Sequence, residues 1–282
     1  MLAATISLVG CGNSTITTPI AEKPTEIEID SYGTDQTLDL LTWNLQNFPK
    51  DENTVPYLTQ IIPALNIDLY ALQEISPYFS TLLDSLPGYQ GFKANSASYD
   101  LDLAYIYNPE NITINDSYEI YQNEWYAFPR APLVLEIEYN SIPITIINNH
   151  LKCCNGEDNE IRRTRASLLL EEYIEENLQN QRVVVMGDWN DTLDFFQNFQ
   201  ENTKEYMFAD TEIASSPEDW SYPSYPSHID HILITDELFN VLNNSNSSTD
   251  IIKLENYLEN GWSEYYSTLS DHRPIAIKLD FE

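Results

Sequence analysis

Positive charge is what this sequence has least of. Its 282 residues carry 13 Lys and Arg against 45 Asp and Glu, a formal net charge of −32. Holding a nucleic acid by electrostatics alone takes many phosphate-facing bases, so that mode of binding is excluded, and the surface repels polyanions at long range. An anionic substrate must be drawn in locally, by a metal or a small basic cluster. Cysteine is almost absent too: Cys11, and the adjacent Cys153 and Cys154. With no C-x-x-C spacing there is neither a zinc pattern nor a disulfide framework. Neighbouring cysteines suit an ordinary bridge poorly, since its Cα atoms lie about 4.4–6.8 Å apart. The pair reads as buried or loop thiols, with a vicinal bridge in an oxidising compartment as the alternative. Internal repeats and interior linkers are missing. Histidines number four: His150, His228, His231 and His272.

What is present suffices for one substantial core, with 42% hydrophobic residues and 12% aromatics. The opening "MLAATISLVGCGNSTITTP" reads as a targeting segment, too short in its apolar run to span a bilayer. Leu8-Val9-Gly10-Cys11 resembles the lipobox of bacterial lipoproteins, which implies cleavage before Cys11 and lipid on its sulfur. The chain would then be anchored to a membrane of the cell envelope, on the periplasmic or extracellular face, the outer membrane included. Residues 12–37 turn to Thr, Ser, Pro and acids and read as a flexible tether, leaving 38–282 as the domain.

Apolar, β-branched runs bounded by turn residues predict strands over 37–44, 67–74, 103–108, 133–139, 142–150, 182–188, 228–234 and 274–281. Helical patterns fall between some of them: "TVPYLTQIIPAL", "SPYFSTLLDSL" with Ser76 as its cap, and the long 157–178 segment. In the last, Ile161, Leu168, Leu169 and Tyr173 can share an apolar face. Strands and helices without strict alternation predict an α/β (α+β) fold with sheets packed on each other. The stretch from Asp191 to Ser227, rich in aromatics and Pro-Ser turns, reads as loops around a cleft.

The strands end alike. Asn44, Gln73-Glu74, Asn148-Asn149-His150 and Gly187-Asp188-Trp189-Asn190 close four of them, Asp230-His231 lies within a fifth, and Asp271-His272 precedes the last. Taken singly, each reads as a strand end or a turn cap. Together they place groups of metal-binding and proton-transfer type wherever apolar strands stop, and all four histidines fall in these segments.

In order and spacing, "TWNLQNF", "LYALQEI", "LAYIYNP", "INNHLK", "VVMGDWND", "HIDHILI" and "SDHRPIAI" resemble the endonuclease/exonuclease/phosphatase family, which includes deoxyribonuclease I. The resemblance covers roughly 38–282. It implies a four-layered sandwich, two mixed β-sheets face to face with helices outside, and a divalent-metal phosphoesterase at one end. By that resemblance Glu74 is the principal metal ligand, helped by Asn44 and flanked by Asp271, with Mg²⁺ or Mn²⁺ as cofactor and Ca²⁺ as an alternative. His272 is the general base, oriented by Asp230. Asp188 and Asn190 lie near the water, and His150 hydrogen-bonds a phosphoryl oxygen or the leaving group, with Asp100 or Asp102 as its acidic partner.

Other positions stay open. Arg130 either contacts phosphate or pairs with a surface acid. Lys152, with Arg162, Arg163 and Arg165, forms either a phosphate-steering loop or a salt-bridged helix start. His228 stands where many relatives have Arg and reads as structural, and His231 reads as a packing residue. The activity implied is hydrolysis of phosphodiester bonds by a monomer, foremost as a nuclease on DNA or RNA. The alternatives are a phospholipid-headgroup, small phosphodiester or phosphomonoester substrate, or a binding protein that lost the chemistry.

Overall fold

Along Leu38–Phe48 (β1), alternate side chains enter different apolar layers. Leu38 and Leu40 join one buried cluster, while Leu41, Trp43 and Leu45 join another. This two-residue period recurs through a computed structural model that describes residues 26–97 and 99–282. One six-stranded sheet takes β1, β2 (Leu69–Ile75), β3 (Gln90–Lys93), β4 (Asp102–Tyr107), β11 (Ser248–Ile251) and β12 (Ile275–Leu279), in the order β11-β12-β1-β2-β4-β3. The other takes β5 (Thr113–Glu119), β6 (Leu133–Tyr139), β7 (Ile142–His150), β8 (Val183–Asp188), β9 (Tyr206–Phe208) and β10 (Asp230–Thr235), in the order β5-β6-β7-β8-β10-β9. Both sheets are mixed: β1 runs parallel to β2, and β7 to β8.

The inward residues of both sheets, among them Leu40, Ala71, Tyr105, Leu135, Ile146, Met186, Ile232 and Ile277, form one central core. The outer face of the first sheet packs on α1 (Thr54–Leu65) and α2 (Phe79–Asp84), and that of the second on α3 (Glu157–Asn177). This is the expected four-layered sandwich. Truncating a fully buried Ile146 or Ile277 to Ala should cost about 2–5 kcal/mol. Among the described residues no helix is long and apolar enough to cross a membrane.

All eight predicted strands form. Ser76 is not the cap of α2, whose N-cap is Tyr78, and two other expectations need correction. The buried residues of α3 are Arg163, Ala166, Ser167, Leu170 and Ile174, while Ile161 and Leu168 are each 51% exposed. A buried arginine opens the inward stripe, so reading apolar residues alone rotates the face. The second correction concerns the tether. Of its residues, 12–25 lie outside the described residues, as do the lipobox and Cys11, but Glu26–Thr37 is docked rather than loose. Ile27, Ile29 and Tyr32 pack on the outer cluster of the first sheet. Tyr32 and Gly33 donate their N–H groups to the Leu65 carbonyl, and Lys278 lies over the Tyr32 ring. At Gly33 a Cβ would sit 1.8 Å from the Asn66 carbonyl oxygen, so only glycine permits this approach.

Candidate active site

The period that builds the core also aims the polar residues. On β1 the inward row Leu38, Leu40, Thr42 continues to Asn44; on β7 it continues to Asn148 and His150, and on β8 to Asp188. β10 begins with Asp230 on that same face. Register brings them level: His150 pairs with Asp188, and Asp188 with Asp230. Gly187 makes the close pairing possible, since at φ +147° a Cβ there would meet the Asn149 carbonyl oxygen at 2.0 Å. One layer deeper, Gln73 and Asn148 tie the sheets together. Gln73 donates to Thr42 Oγ1 (3.0 Å) and Asn148 Oδ1 (2.8 Å), and Asn148 donates to the carbonyls of Leu72 and Ala104.

At this level lies an acid–base array. His272 Nδ1 is 2.8 Å from Asp230 Oδ2, and the His272 N–H donates to Ser270 Oγ (2.9 Å). Burial alone would lower the pKa of this ring. The charge of Asp230 and its hydrogen bond, with Asp188 and Asp271 behind it, outweigh burial and raise the value to about 10. Asp188, buried and facing the Asp230 charge, is raised to about 7. It accepts from Asn44 Nδ2 (2.9 Å) and the Asn190 N–H (2.9 Å), and lies 3.2 Å from His150 Nε2. His150 is fully enclosed; burial, then the nearby Arg130 charge, pushes its pKa well down, so it is a neutral donor.

The opposite wall is carboxylate-rich because two strands distort. β1 loses register with β2 between Asn44 and Phe48, where Gln46 (φ 38°) and Asn47 (φ 57°) are left-handed. This bulge delivers the Asn47 N–H to Glu74 Oε2 (2.7 Å) and Gln46 Nε2 to Asp271 Oδ2 (2.7 Å). Glu74 is itself left-handed at φ 63°, and its Oε1 receives Asn44 Nδ2 at 3.4 Å. The Asn44 amide oxygen takes the Gln46 N–H on one of its two lone pairs, and its Nδ2 bridges Glu74 and Asp188. Asp271 Oδ1 and Asp230 Oδ1 are buried and find no hydrogen-bond partner among the described residues. Unpaired buried carboxylate oxygens are costly, and hard oxygen donors of this kind fit Mg²⁺, Mn²⁺ or Ca²⁺.

Several expected positions lie elsewhere. Asp102 accepts from Lys93 and the Ala97 N–H (2.9 Å), Asp100 is exposed, and His150 Nδ1 has no partner among the described residues. Neither acid is the His150 partner, because β4 turns Asp102 toward β3; the nearest carboxylate is Asp188, 3.2 Å from Nε2. Arg130 lies behind the site, donating to the Leu101 and His150 carbonyls (both 3.3 Å), and neither it nor Lys152 lines the cleft. Lys152 Nζ points to the Cys153 carbonyl (3.1 Å). The neighbouring arginines are occupied as well: Arg163 with Asp191 (2.7 Å), Arg165 with Glu124 (2.7 Å) and Arg162 with the Tyr126 carbonyl. Two of the four bases are thus ion-paired, with acids away from the helix start, while Lys152 and Arg162 are held by carbonyls. Asn190 donates from Nδ2 to the Leu151 carbonyl (3.2 Å).

A second Asp–His cluster sits on the other face of β10. Asp210 Oδ2 is 2.6 Å from His231 Nδ1 and 2.8 Å from His228 Nε2, and Asp210 Oδ1 takes the Ile232 N–H. His231 Nε2 faces the Asp191 carbonyl (2.9 Å), so both ring nitrogens donate and its pKa is raised despite burial. Burial pushes Asp210 up, but the His231 charge and the bonds from both histidines outweigh it and hold Asp210 low. His228 Nδ1 accepts the Ser221 N–H (3.3 Å), which leaves its proton on Nε2 and no lone pair there for a metal. This cluster is a closed, structural one. It fastens Ser221, whose Oγ accepts from the Asp230 N–H and whose neighbour Tyr222 lies against His272 with ring centroids 4.7 Å apart. Asp210, Gln46, Ser221 and Tyr222 were not singled out in the sequence.

The cleft over the first cluster encloses about 480 Å³, lined among others by Gln46, Glu74, His150, Asp188, Tyr222 and His272. The family model for the Endonuclease/Exonuclease/phosphatase family matches residues 41–272. No curated protein matches the sequence significantly. Solved structures do match in fold. D. rerio TDP2 complexed with a single-strand DNA product gives a TM-score of 0.66 at 14% identity, covering 86% of this chain and 99% of that one. The human Nocturnin catalytic domain with bound sulfate gives 0.64 at 17%, covering 88% and 95%. A Bacteroides thetaiotaomicron mannosyl-6-phosphatase gives 0.63 at 15%, covering 86% and 100%.

Proposed function

The chain belongs to the endonuclease/exonuclease/phosphatase family, and on that premise we propose that it is a divalent-metal-dependent hydrolase of phosphate esters. The observation that carries this reading is convergence: Asn44, Glu74, His150, Asp188, Asp230, Asp271 and His272, spread over the whole domain, are gathered at one end of the sandwich. Glu74 and Asp271 would hold the cation, with Asn44 and the Asn47 N–H fixing the Glu74 carboxylate. A bound Mg²⁺ or Mn²⁺ supplies Lewis-acid polarisation of a phosphoryl oxygen. His272 accepts the water proton at Nε2, since Nδ1 is committed to Asp230, and Asp230 stabilises the resulting imidazolium. With its pKa near 10 the ring is already protonated at neutral pH. Its service as a base therefore requires positive charge in the cleft to offset the carboxylates. Neutral His150 donates from Nε2 to the phosphoryl or leaving oxygen, while Asp188 and Asn190 orient the water.

For substrate, phosphodiester hydrolysis in DNA or RNA is the first reading, supported by the family and by the cleft-lining Tyr222 and Tyr225, aromatic faces on which a base can stack. A second reading, a substrate presenting a single phosphate, is favoured by one observation. Among the described residues the one arginine lining the cleft, Arg163, is already paired with Asp191, so there is little to follow a chain of phosphates. Purified protein should be offered plasmid DNA, RNA, sphingomyelin and an aryl phosphodiester, with Mg²⁺ or with EDTA. Turnover that needs Mg²⁺ and is lost in His272→Ala is expected, and the preferred substrate separates the two readings. No turnover above that variant would defeat the catalytic assignment. Envelope attachment through Cys11 rests on the Leu8–Cys11 motif, and is tested by whether fatty-acid labelling disappears in Cys11→Ser.

A further inference from the structure

We propose that Cys153 and Cys154 form an oxidisable dithiol on the wall of the cleft, a modification site that a small organic disulfide converts into a vicinal disulfide. The two sulfurs lie 2.8 Å apart, and both residues line the same cleft as Glu74, His150, Asp188 and His272. The turn that carries them is held in advance. Arg163, buried on α3, donates Nη1 to the carbonyls of Lys152 (2.9 Å) and Cys154 (3.0 Å), while its Nε and Nη2 grip Asp191 Oδ2 at 3.0 and 2.7 Å. Cys154 sits at φ +78°, a left-handed conformation that persists in a non-glycine residue where its surroundings over-determine it.

The sulfurs are not equivalent. Lys152 Nζ donates to Cys153 Sγ at 3.4 Å, which sets an ammonium beside that sulfur. The Cys154 thiol, bonded to Cys153, is pushed up and keeps its proton. That leaves Cys153, in contact with the Lys152 ammonium, as the attacking sulfur and the more exposed Cys154 as the resolving one. The Cys153 thiolate attacks the reagent disulfide, forming a mixed disulfide and releasing one thiolate. Cys154 then attacks Cys153 Sγ and expels the second. The protein sulfurs are oxidised, the reagent is reduced to two thiols, and the two cysteine protons leave with them.

The same turn supplies the Leu151 carbonyl to Asn190 Nδ2 and, through Arg163, anchors Asp191, so closing the bridge strains the strand ends that hold Asp188 and Asn190. Oxidation should therefore slow hydrolysis reversibly, a consequence that rests on the phosphoesterase reading, whereas the thiol chemistry does not.

The test exposes the folded full chain, carrying Cys11→Ser so that only this pair can react, to glutathione disulfide. Intact mass should fall by two hydrogens, with peptide mapping placing the bridge at 153–154, both thiols should resist iodoacetamide, and dithiothreitol should restore them. Cys154→Ser should instead stop at a mixed disulfide on Cys153. Two thiols that stay alkylatable, or that each end as separate glutathione adducts, overturn the proposal. A bridge that forms without changing the rate of an active enzyme overturns the coupling to hydrolysis.

Discussion

Asp230 and His231 are consecutive on β10, and the pleat sends them to opposite faces. Each enters a buried group of one or two aspartates with one or two histidines, closed by carboxylate–imidazole contacts of 2.6–2.8 Å. By residue type and spacing the two groups are near-equivalent, and either could be taken for a metal centre. They differ in what is left over. Around Asp210 both histidines and the carboxylate are saturated by protein partners, so the cluster has nothing to offer a ligand. Around His272, carboxylate oxygens of Asp230 and Asp271 lack partners among the described residues and the ring opens on a cleft. Unspent hydrogen-bonding capacity, rather than composition, separates the reactive cluster from the structural one.

That contrast can be broken by substitution. His272→Ala should lower the hydrolysis rate by about 10²–10⁴-fold, the contribution of a positioned acid–base group, far out of proportion to the stability lost by leaving the buried Asp230 without its partner. Asp210→Asn should do the reverse. Leaving His231 charged and unpaired in the interior should cost about 3–5 kcal/mol in urea unfolding, with a much smaller loss of rate per folded molecule. Should both variants lose activity and stability in proportion, the distinction between the clusters is wrong.

Two smaller effects sharpen it. Mg²⁺ at 100 times its dissociation constant should stabilise the parent by about 2.7 kcal/mol, read as a rise in melting temperature. Glu74→Gln should abolish that rise and Asp210→Asn should keep it. The closed cluster should also show a pH signature. His231 is raised in the folded state, so its contribution is full below its ordinary pKa of about 6.5 and fades as pH rises through the raised value. Asp210 is held low, so its contribution is full above about 3.9 and fades as pH falls through the depressed value. His231→Gln should therefore cost most stability between about pH 4 and 6.5 and progressively less in alkali.

The sequence was most legible where strands are interior. The four strands it did not reveal, β3, β5, β9 and β11, are the four sheet edges. Edge strands are half-solvated and short, as in "STDI" and "TINDSYE", and carry no clean apolar alternation. Histidines were legible because there are four of them; Asp210 was not, because it is one of 45 acids in an irregular stretch. The left-handed backbone at Gln46, Asn47 and Glu74 left no glycine to mark it. Nothing in the spacing of Arg130, Lys152 or Asp102 tells which way each side chain turns, and it was there that the expected roles failed.

The docked segment Glu26–Thr37 also decides how the enzyme can be handled. Ile27 meets Gln60 on α1, and Tyr32 reaches Asp250 on β11, so the chain joins the body along the helix-covered flank of the first sheet. Anything coupled upstream, whether an affinity handle, a bead or a biosensor surface, is therefore joined to the body at this flank, through a segment that is itself part of the packed structure.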